Sequence, residues 1–240
     1  MAIDLAGRVI ALSGVMNVRD IGGYPSVFGG RTRWRVVLRG DSPHRLDEVG
    51  QQALAHLGIR LIVDLRRPHE AAEAPYCFGR VGLVRQAVPL IDDDLPSGVR
   101  TLPEVYHTIL AHAGSRLVTV YRALLQEGPA LVHCTAGKDR TGLTVAVLLA
   151  ALGVPDPIIA EDYALSGACL RGTYWEEARQ RALRAGMAWE AYLPLLGCPP
   201  ALMLDTLDLL QHRYGGAESY LVAAGLTPAE LAGLRSLLLE

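Results

Sequence analysis

Leu131-Val132-His133-Cys134-Thr135-Ala136-Gly137-Lys138-Asp139-Arg140-Thr141-Gly142 runs from strand to loop to helix without a break. Residues 130–133 are short, apolar and carry a β-branched valine, as a buried strand does. Residues 135–139 are small or polar. From Thr141 an apolar run continues to Leu152 and stops at Gly153 and Pro155, the pattern of a helix end.

On the N-terminal side, 33–38 (RWRVVL) and 60–65 (RLIVDL) are rich in β-branched residues and read as strands, with another expected at 83–88. Between the first two, Val49, Ala53, Leu54 and Leu57 recur at helical spacing over 47–57, closed by Gly58. Helices are expected at 104–113 and 115–126, the second ending at Gly128-Pro129. Strands alternating with helices predict an α/β fold with a mainly parallel sheet. Beyond residue 160 the strand pattern stops. Thr173 and Glu176 read as a capping box for a helix towards Ala185, and another helix covers 201–214. The last starts with Thr227 as cap, Pro228 at its first position and Glu230 completing the box. The expectation is a single domain over 1–240, with an α/β core over about 1–165 and a helical part over about 166–240.

The chemistry follows from the place of Cys134 at a strand end, just before a helix. A free thiol with a pKa of ~8.5 is only a few per cent ionised at neutral pH. Backbone N–H groups at a helix N-terminus stabilise the thiolate and lower that pKa. The same loop, through Thr135, Ala136, Gly137 and Lys138, would cradle the non-bridging oxygens of a phosphoryl group. Arg140 adds a planar fork of donors that grips two phosphate oxygens more tightly as charge develops. Thr141 is expected to donate its hydroxyl to the Cys134 sulfur as it leaves a phosphocysteine, and His133 to hold the cysteine backbone. Metal-independent phosphomonoester hydrolysis is the leading reading, with Cys134 as nucleophile and no cofactor or metal required.

Further motifs lie along nearly the whole chain: Asn17-Val18-Arg19-Asp20-Ile21-Gly22-Gly23-Tyr24, Arg39-Gly40-Asp41, and Asp64-Leu65-Arg66-Arg67-Pro68-His69-Glu70. Asp162-Tyr163-Ala164-Leu165-Ser166 and Tyr214-Gly215-Gly216 with Tyr220-Leu221 complete the series. Together with His133 to Gly142, they resemble the bacterial tyrosine phosphatase family that includes mycobacterial protein tyrosine phosphatase B. The resemblance implies a phosphotyrosine-phosphatase-like fold with a helical lid over the site. It also implies activity on phosphotyrosine and, in some relatives, on phosphoserine, phosphothreonine or phosphoinositides. A lysine in this loop also marks certain lipid phosphatases. Lys138 is therefore either a second cation for a multiply phosphorylated head group or the partner of an acid at the rim. The family's Asn after Ser166 is Gly167 here, and Arg67 replaces a small residue.

The leaving group needs a proton donor. Asp92, with Asp93 and Asp94 beside it, is one candidate, and the family places an acid at the matching position; an ordinary acidic turn is the plain alternative. Asp139 is the rival inside the loop. Elsewhere structural roles are expected. Asn17 and Asp20 should hydrogen-bond the N-terminal loop, and Asp64 and Glu70 should orient arginines or cap the following turn. Tyr174, Trp175 and Trp189 should be core or line a lid entrance.

Composition narrows the partners. Half of the 240 residues are hydrophobic, and a net charge of −2 offers no basic surplus for nucleic acid or anionic membranes. The longest apolar run, 143–152, falls short of the ~20 residues that span a bilayer, and no basic start precedes an apolar stretch. A cytoplasmic protein without stable membrane insertion is expected, acting on a phosphorylated protein or phosphoinositide and holding a phosphate ion in its loop. Cys77, Cys134, Cys169 and Cys198 are scattered with no C-x-x-C pair, which argues against a zinc site or disulfide scaffold. Lys138 is the only lysine and Asn17 the only asparagine. Residues that survive such scarcity sit where substitutes fail, and both fall inside the motifs. Sulfur transfer leaves Arg140 and Thr141 unexplained, arsenate reduction wants a second cysteine beside Cys134, and a pseudophosphatase would not need both Cys134 and Arg140.

Overall fold

A computed structural model of the protein describes residues 7–78, 82–91 and 101–240. Five strands form one sheet: β1 (Arg19–Asp20), β2 (Val37–Gly40), β3 (Leu61–Asp64), β4 (Val84–Ala87) and β5 (Ala130–His133), in the order β1-β2-β5-β3-β4. Only β1 is antiparallel to its neighbour; β2, β5, β3 and β4 are parallel. Gly40, His133 and Asp64 pair across one row at the C-terminal edge, where ligands meet sheets of this class.

Eleven α-helices occur among the described residues. The first five are α1 (Glu48–His56), α2 (Pro68–Glu73), α3 (Leu102–His112), α4 (Gly114–Glu127) and α5 (Asp139–Ala151). They are followed by α6 (Asp156–Cys169), α7 (Thr173–Arg184), α8 (Trp189–Tyr192), α9 (Pro200–Tyr214), α10 (Gly216–Ala223) and α11 (Pro228–Leu238). No single described helix is long and apolar enough to cross a membrane.

The alternation of strand residues separates two cores. Val37, Leu61, Val63, Ala130 and Val132 join the larger cluster with residues of α3, α4, α5, α9, α10 and α11, while Leu38, Ile62 and Leu131 join Leu46, Leu54 and Ile59 in the smaller one. Both faces are therefore covered, as parallel strands require. The helices after residue 200 share the core of the sheet rather than enclosing one of their own.

Local differences from the sequence reading have physical causes. The first long strand begins at Val37, not residue 33, because Arg33 N–H bonds the Leu238 carbonyl and Arg35 N–H bonds Asp20 Oδ2. Gly172, not Thr173, caps α7, and the Thr173–Glu176 box is not formed. The Thr227–Glu230 box is. β1, α2, α6 and α10 had no signal of their own: they are short, or their apolar residues lack a single helical stripe.

Candidate active site

The polypeptide leaves β5 at His133, buries Cys134 to 2% exposure and enters α5 at Asp139. What shapes the intervening loop is the fate of its carbonyls. The Cys134 carbonyl accepts from His133 Nδ1 (2.9 Å) and that of Thr135 from Ser42 N–H (3.1 Å). Asn17 Nδ2 donates to Ala136 O and Arg39 Nη2 to Gly137 O, each at 2.9 Å. Lys138 O takes Gly142 N–H in the first turn of α5. Every carbonyl from 134 to 138 is held by the scaffold, and no amide of 135–140 donates to another described group. An amide-lined anion site at a helix start results. Gly137 has φ 67°, and a side chain there would collide with the Gly40 carbonyl.

Arg39 and Asn17 belong to a buried polar cluster. Asp162 Oδ1 accepts from Arg19 Nε (3.2 Å) and Tyr24 OH (2.9 Å), and Oδ2 from Arg39 Nη1 (2.5 Å). Asn17 Oδ1 takes Arg19 Nη1 (2.6 Å), and Ser166 Oγ takes Arg19 Nη2 and Asn17 Nδ2. Burial alone would push the Asp162 carboxyl up; Arg19 and Arg39 overcome it and hold the group at about 2. Two guanidiniums against one carboxylate leave one positive charge beneath the loop, favouring an anion above it. Asp41 holds the amides of Met16 and Asn17, and its burial raises it to about 6.

Arg140 is oriented in advance. Its Nη1 and Nη2 meet Glu70 Oε2 (2.5 Å) and Oε1 (2.7 Å), and Thr135 Oγ1 donates to the same Oε1 at 2.7 Å. Burial pushes Glu70 up, but the Arg140 pair draws it down to about 2. Glu70 also accepts Arg67 N–H at the start of α2, so one carboxylate caps a helix and aims the fork. Arg140 Nε and one hydrogen on Nη1 make no bond to a described group.

His133 supports the backbone as expected. Burial lowers its pKa to about 4, so the ring is neutral at pH 7, with Nδ1–H on the Cys134 carbonyl and Nε2 accepting from Tyr76 OH at 2.6 Å. Asp64 orients Arg66 and Arg85 through paired bonds of 2.8–3.1 Å.

Of the two readings of Lys138, pairing with an acid is the one that the structure favours. Its ammonium is buried, donates to the carbonyls of Leu195 (2.9 Å) and Gly197 (2.8 Å), and forms an ion pair with Asp139 Oδ1 at 2.9 Å. Two of its donors go to carbonyls and its charge is paired inside the protein. Its acid partner is Asp139, whose side chain is 29% exposed. Asp139 Oδ1 also accepts from Tyr106 OH (2.7 Å), which is bonded to Tyr163 OH; its Oδ2 makes no bond among the described residues. The expected bond from Thr141 to the Cys134 sulfur is not formed: the hydroxyl is buried without a partner. Asp92, with Asp93 and Asp94, lies outside the described residues.

Over the loop, Leu170, Tyr174, Ala178 and Leu196 form a separate apolar cluster with Met16, Ala136, Trp189 and Tyr192 packed against it. Tyr174 is buried as expected, whereas Trp175 is 42% exposed. Gly167 leaves no room for the family's Asn without a shift, because even a Cβ would stand 3.0 Å from the Cys198 sulfur. Of the residues missed from sequence, Arg19, Arg39, Asp162 and Tyr163 lie in the recognised motifs and Tyr106 lies outside them in α3; what no pattern displays is that they meet.

Residues 10–240 match the tyrosine phosphatase family. The chain is 32% identical over 205 residues to a tyrosine-protein phosphatase of Nostoc commune, covering 80% of this chain and 70% of that one. It is 27% identical over 276 aligned positions to the triple specificity protein phosphatase PtpB of Mycobacterium tuberculosis, covering 95% and 98%. Among solved structures, P. aeruginosa TpbA superposes with a TM-score of 0.42 at 18% identity, over 68% of this chain and 81% of that one. Matched to that family over residues 10–240, the chain belongs to the tyrosine phosphatase family.

Proposed function

We propose that the protein hydrolyses phosphotyrosine through a phosphocysteine on Cys134. The observation that carries this reading is the set of loop carbonyls from Cys134 to Lys138, all tied to the scaffold. It leaves the amides beside the nucleophile free for phosphate oxygens. In the first step the Cys134 thiolate attacks phosphorus and the bond to the leaving oxygen breaks. A carboxylic acid, Asp139 or Asp92, gives that oxygen its proton. The loop amides and Arg140 take up the charge on the three equatorial oxygens, and Glu70 keeps the fork from having to reorganise. In the second step water attacks phosphorus, its proton passes to the carboxylate, and the thiolate departs. The unpartnered Thr141 hydroxyl is the group suited to meet the departing sulfur. His133 takes no proton.

The commitment of Lys138 to the interior favours phosphotyrosine over a multiply phosphorylated inositol head group, which would want a second free cation. Hydrolysis of an aryl phosphate in EDTA tests the mechanism. The native protein should remain active and Cys134→Ser should lose turnover; activity kept in the variant, or abolished by EDTA, would overturn it. Asp139→Asn and Asp92→Asn, compared on good and poor leaving groups, identify the acid, whose loss should weigh far more on the poor one.

A further inference from the structure

A cleft of about 820 Å³ lies at the other end of the sheet from the phosphate loop. Because β1 is antiparallel to β2, the chain after Asp20 runs towards the start of β2, away from Gly40 and His133. Tyr24, Trp34 and the first turns of α6 wall the cleft there. Its volume is that of a small-molecule site.

Arg8 is the unusual member. It is 4% exposed, yet it makes no ion pair with a described carboxylate, and its Nε has no hydrogen-bond partner. Its guanidinium lies 3.9 Å from the Tyr24 ring centre and 4.9 Å from that of Trp34, while Nη1 donates to the carbonyls of Asp20 (2.8 Å) and Gly22 (2.5 Å). This buried cation, held by two aromatic faces and two carbonyls, has no ion pair of its own among the described residues, and the Asp20 carboxylate is the acid that acts on it. Arg31 and Arg35 line the same cleft, and Arg35 is the only non-glycine among the described residues with a positive φ, 61°. Such backbone persists where surroundings over-determine it, and often at binding sites. On the acidic side stand the Asp20 carboxylate, which accepts from Gly22 N–H and Arg35 N–H, and Glu161, so three guanidiniums face two carboxylates across the lining.

We propose that this cleft binds a small planar anion, an aromatic carboxylate, sulfonate or phosphate, whose charge meets Arg8, Arg31 and Arg35 and whose ring lies against Trp34. The site is separate from the phosphate loop. Its floor nevertheless shares Tyr24 with the buried cluster around Asp162, so binding is best measured with and without vanadate in the active site.

Naphthalene-1-sulfonate, which no phosphatase hydrolyses, is the probe, with 1-naphthalenemethanol as its neutral counterpart, in calorimetric titrations of the full-length protein. Saturable sulfonate binding should survive vanadate and exceed that of the alcohol. Arg31→Glu should weaken it about tenfold or more, as loss of a charge-assisted contact does. Ile158→Trp, which fills the cleft from α6, should abolish it, and Glu161→Gln should tighten it about twofold. These residues lie outside the catalytic machinery, so aryl phosphatase activity reports that each variant is folded. Absence of saturable binding to the native protein, displacement by vanadate, or an unchanged Kd in folded Arg31→Glu would each overturn the proposal. The Arg31→Glu result stands whether or not the phosphocysteine mechanism is correct.

Discussion

The two halves of the phosphate loop are held in different ways. From Cys134 to Gly137 the loop is fixed from the sheet side, by Asn17, Arg39, Ser42 and His133, over a cluster of charges with almost no exposure. From Lys138 to Asp139 it is tied to helical elements, through the Leu195 and Gly197 carbonyls and the tyrosines of α3 and α6. The first half therefore fixes Cys134 and the loop amides after it rigidly. The second makes the same loop a contact for the segment that covers it. Damage to the sheet side should unfold the protein or stop its chemistry, and damage to the helix side should loosen the cover.

The largest effect is expected from Asp162→Asn. It leaves Arg19 and Arg39 buried without a counter-charge, and such losses cost about 3–5 kcal/mol. A fall in denaturation midpoint much smaller than this corresponds to would show that the cluster is not essential to the sheet side. Arg140→Lys comes next. A lysine cannot reproduce the fork held by Glu70, and kcat should drop by about 10²–10³ with stability little changed. A kcat within a few-fold of native would show that the loop amides suffice.

The pH dependence sharpens the comparison, because two sheet-side groups titrate in opposite senses. His133 has a folded value of about 4, below its unfolded value near 6.5. Between the two the unfolded chain binds the proton and the folded one does not, so stability falls as pH drops from 6.5 to 4, by up to roughly 3 kcal/mol. Asp41 has a folded value of about 6, above its ordinary range, and contributes the opposite slope between about 6 and 4. Between pH 4 and 6 the two slopes offset each other in the native protein, so His133→Gln should shift the pH–stability slope towards falling with pH and Asp41→Asn towards rising with pH; equal slopes in all three proteins would discard both assignments. The smallest effect belongs to the helix side. Lys138→Met should cost about 1–3 kcal/mol through two carbonyls left without donors. It should speed amide exchange over residues 193–197 while sparing β5, and uniform exchange across both would erase the distinction between the halves.

Much of this was legible in advance for identifiable reasons. β5 was read correctly to its ends, because a short apolar strand between Gly128-Pro129 and a polar loop has no competing pattern. The Thr227 box was read correctly because three residues at fixed spacing specify it. The Thr173 box, with the same spacing, failed: capping depends on the backbone angle of one residue, which Gly172 takes over. Asn17 and Lys138 stood out as lone representatives of their types, but scarcity marked only their importance. One holds the Ala136 carbonyl and the other the cover of the site, and neither partner is near in sequence.

The sequence by itself determined which candidate groups stand together: cysteine, glycine and arginine at that spacing, between a strand and a helix. Tertiary structure alone decided which way the surrounding charges are spent. Glu70 serves Arg140 across 70 residues, Asp162 serves Arg39 across 123, and Lys138 turns to carbonyls 57 and 59 residues away. Hydrogen bonds act over about 3 Å, so a charged side chain's role is set by what folding brings within that distance, and local sequence does not record it.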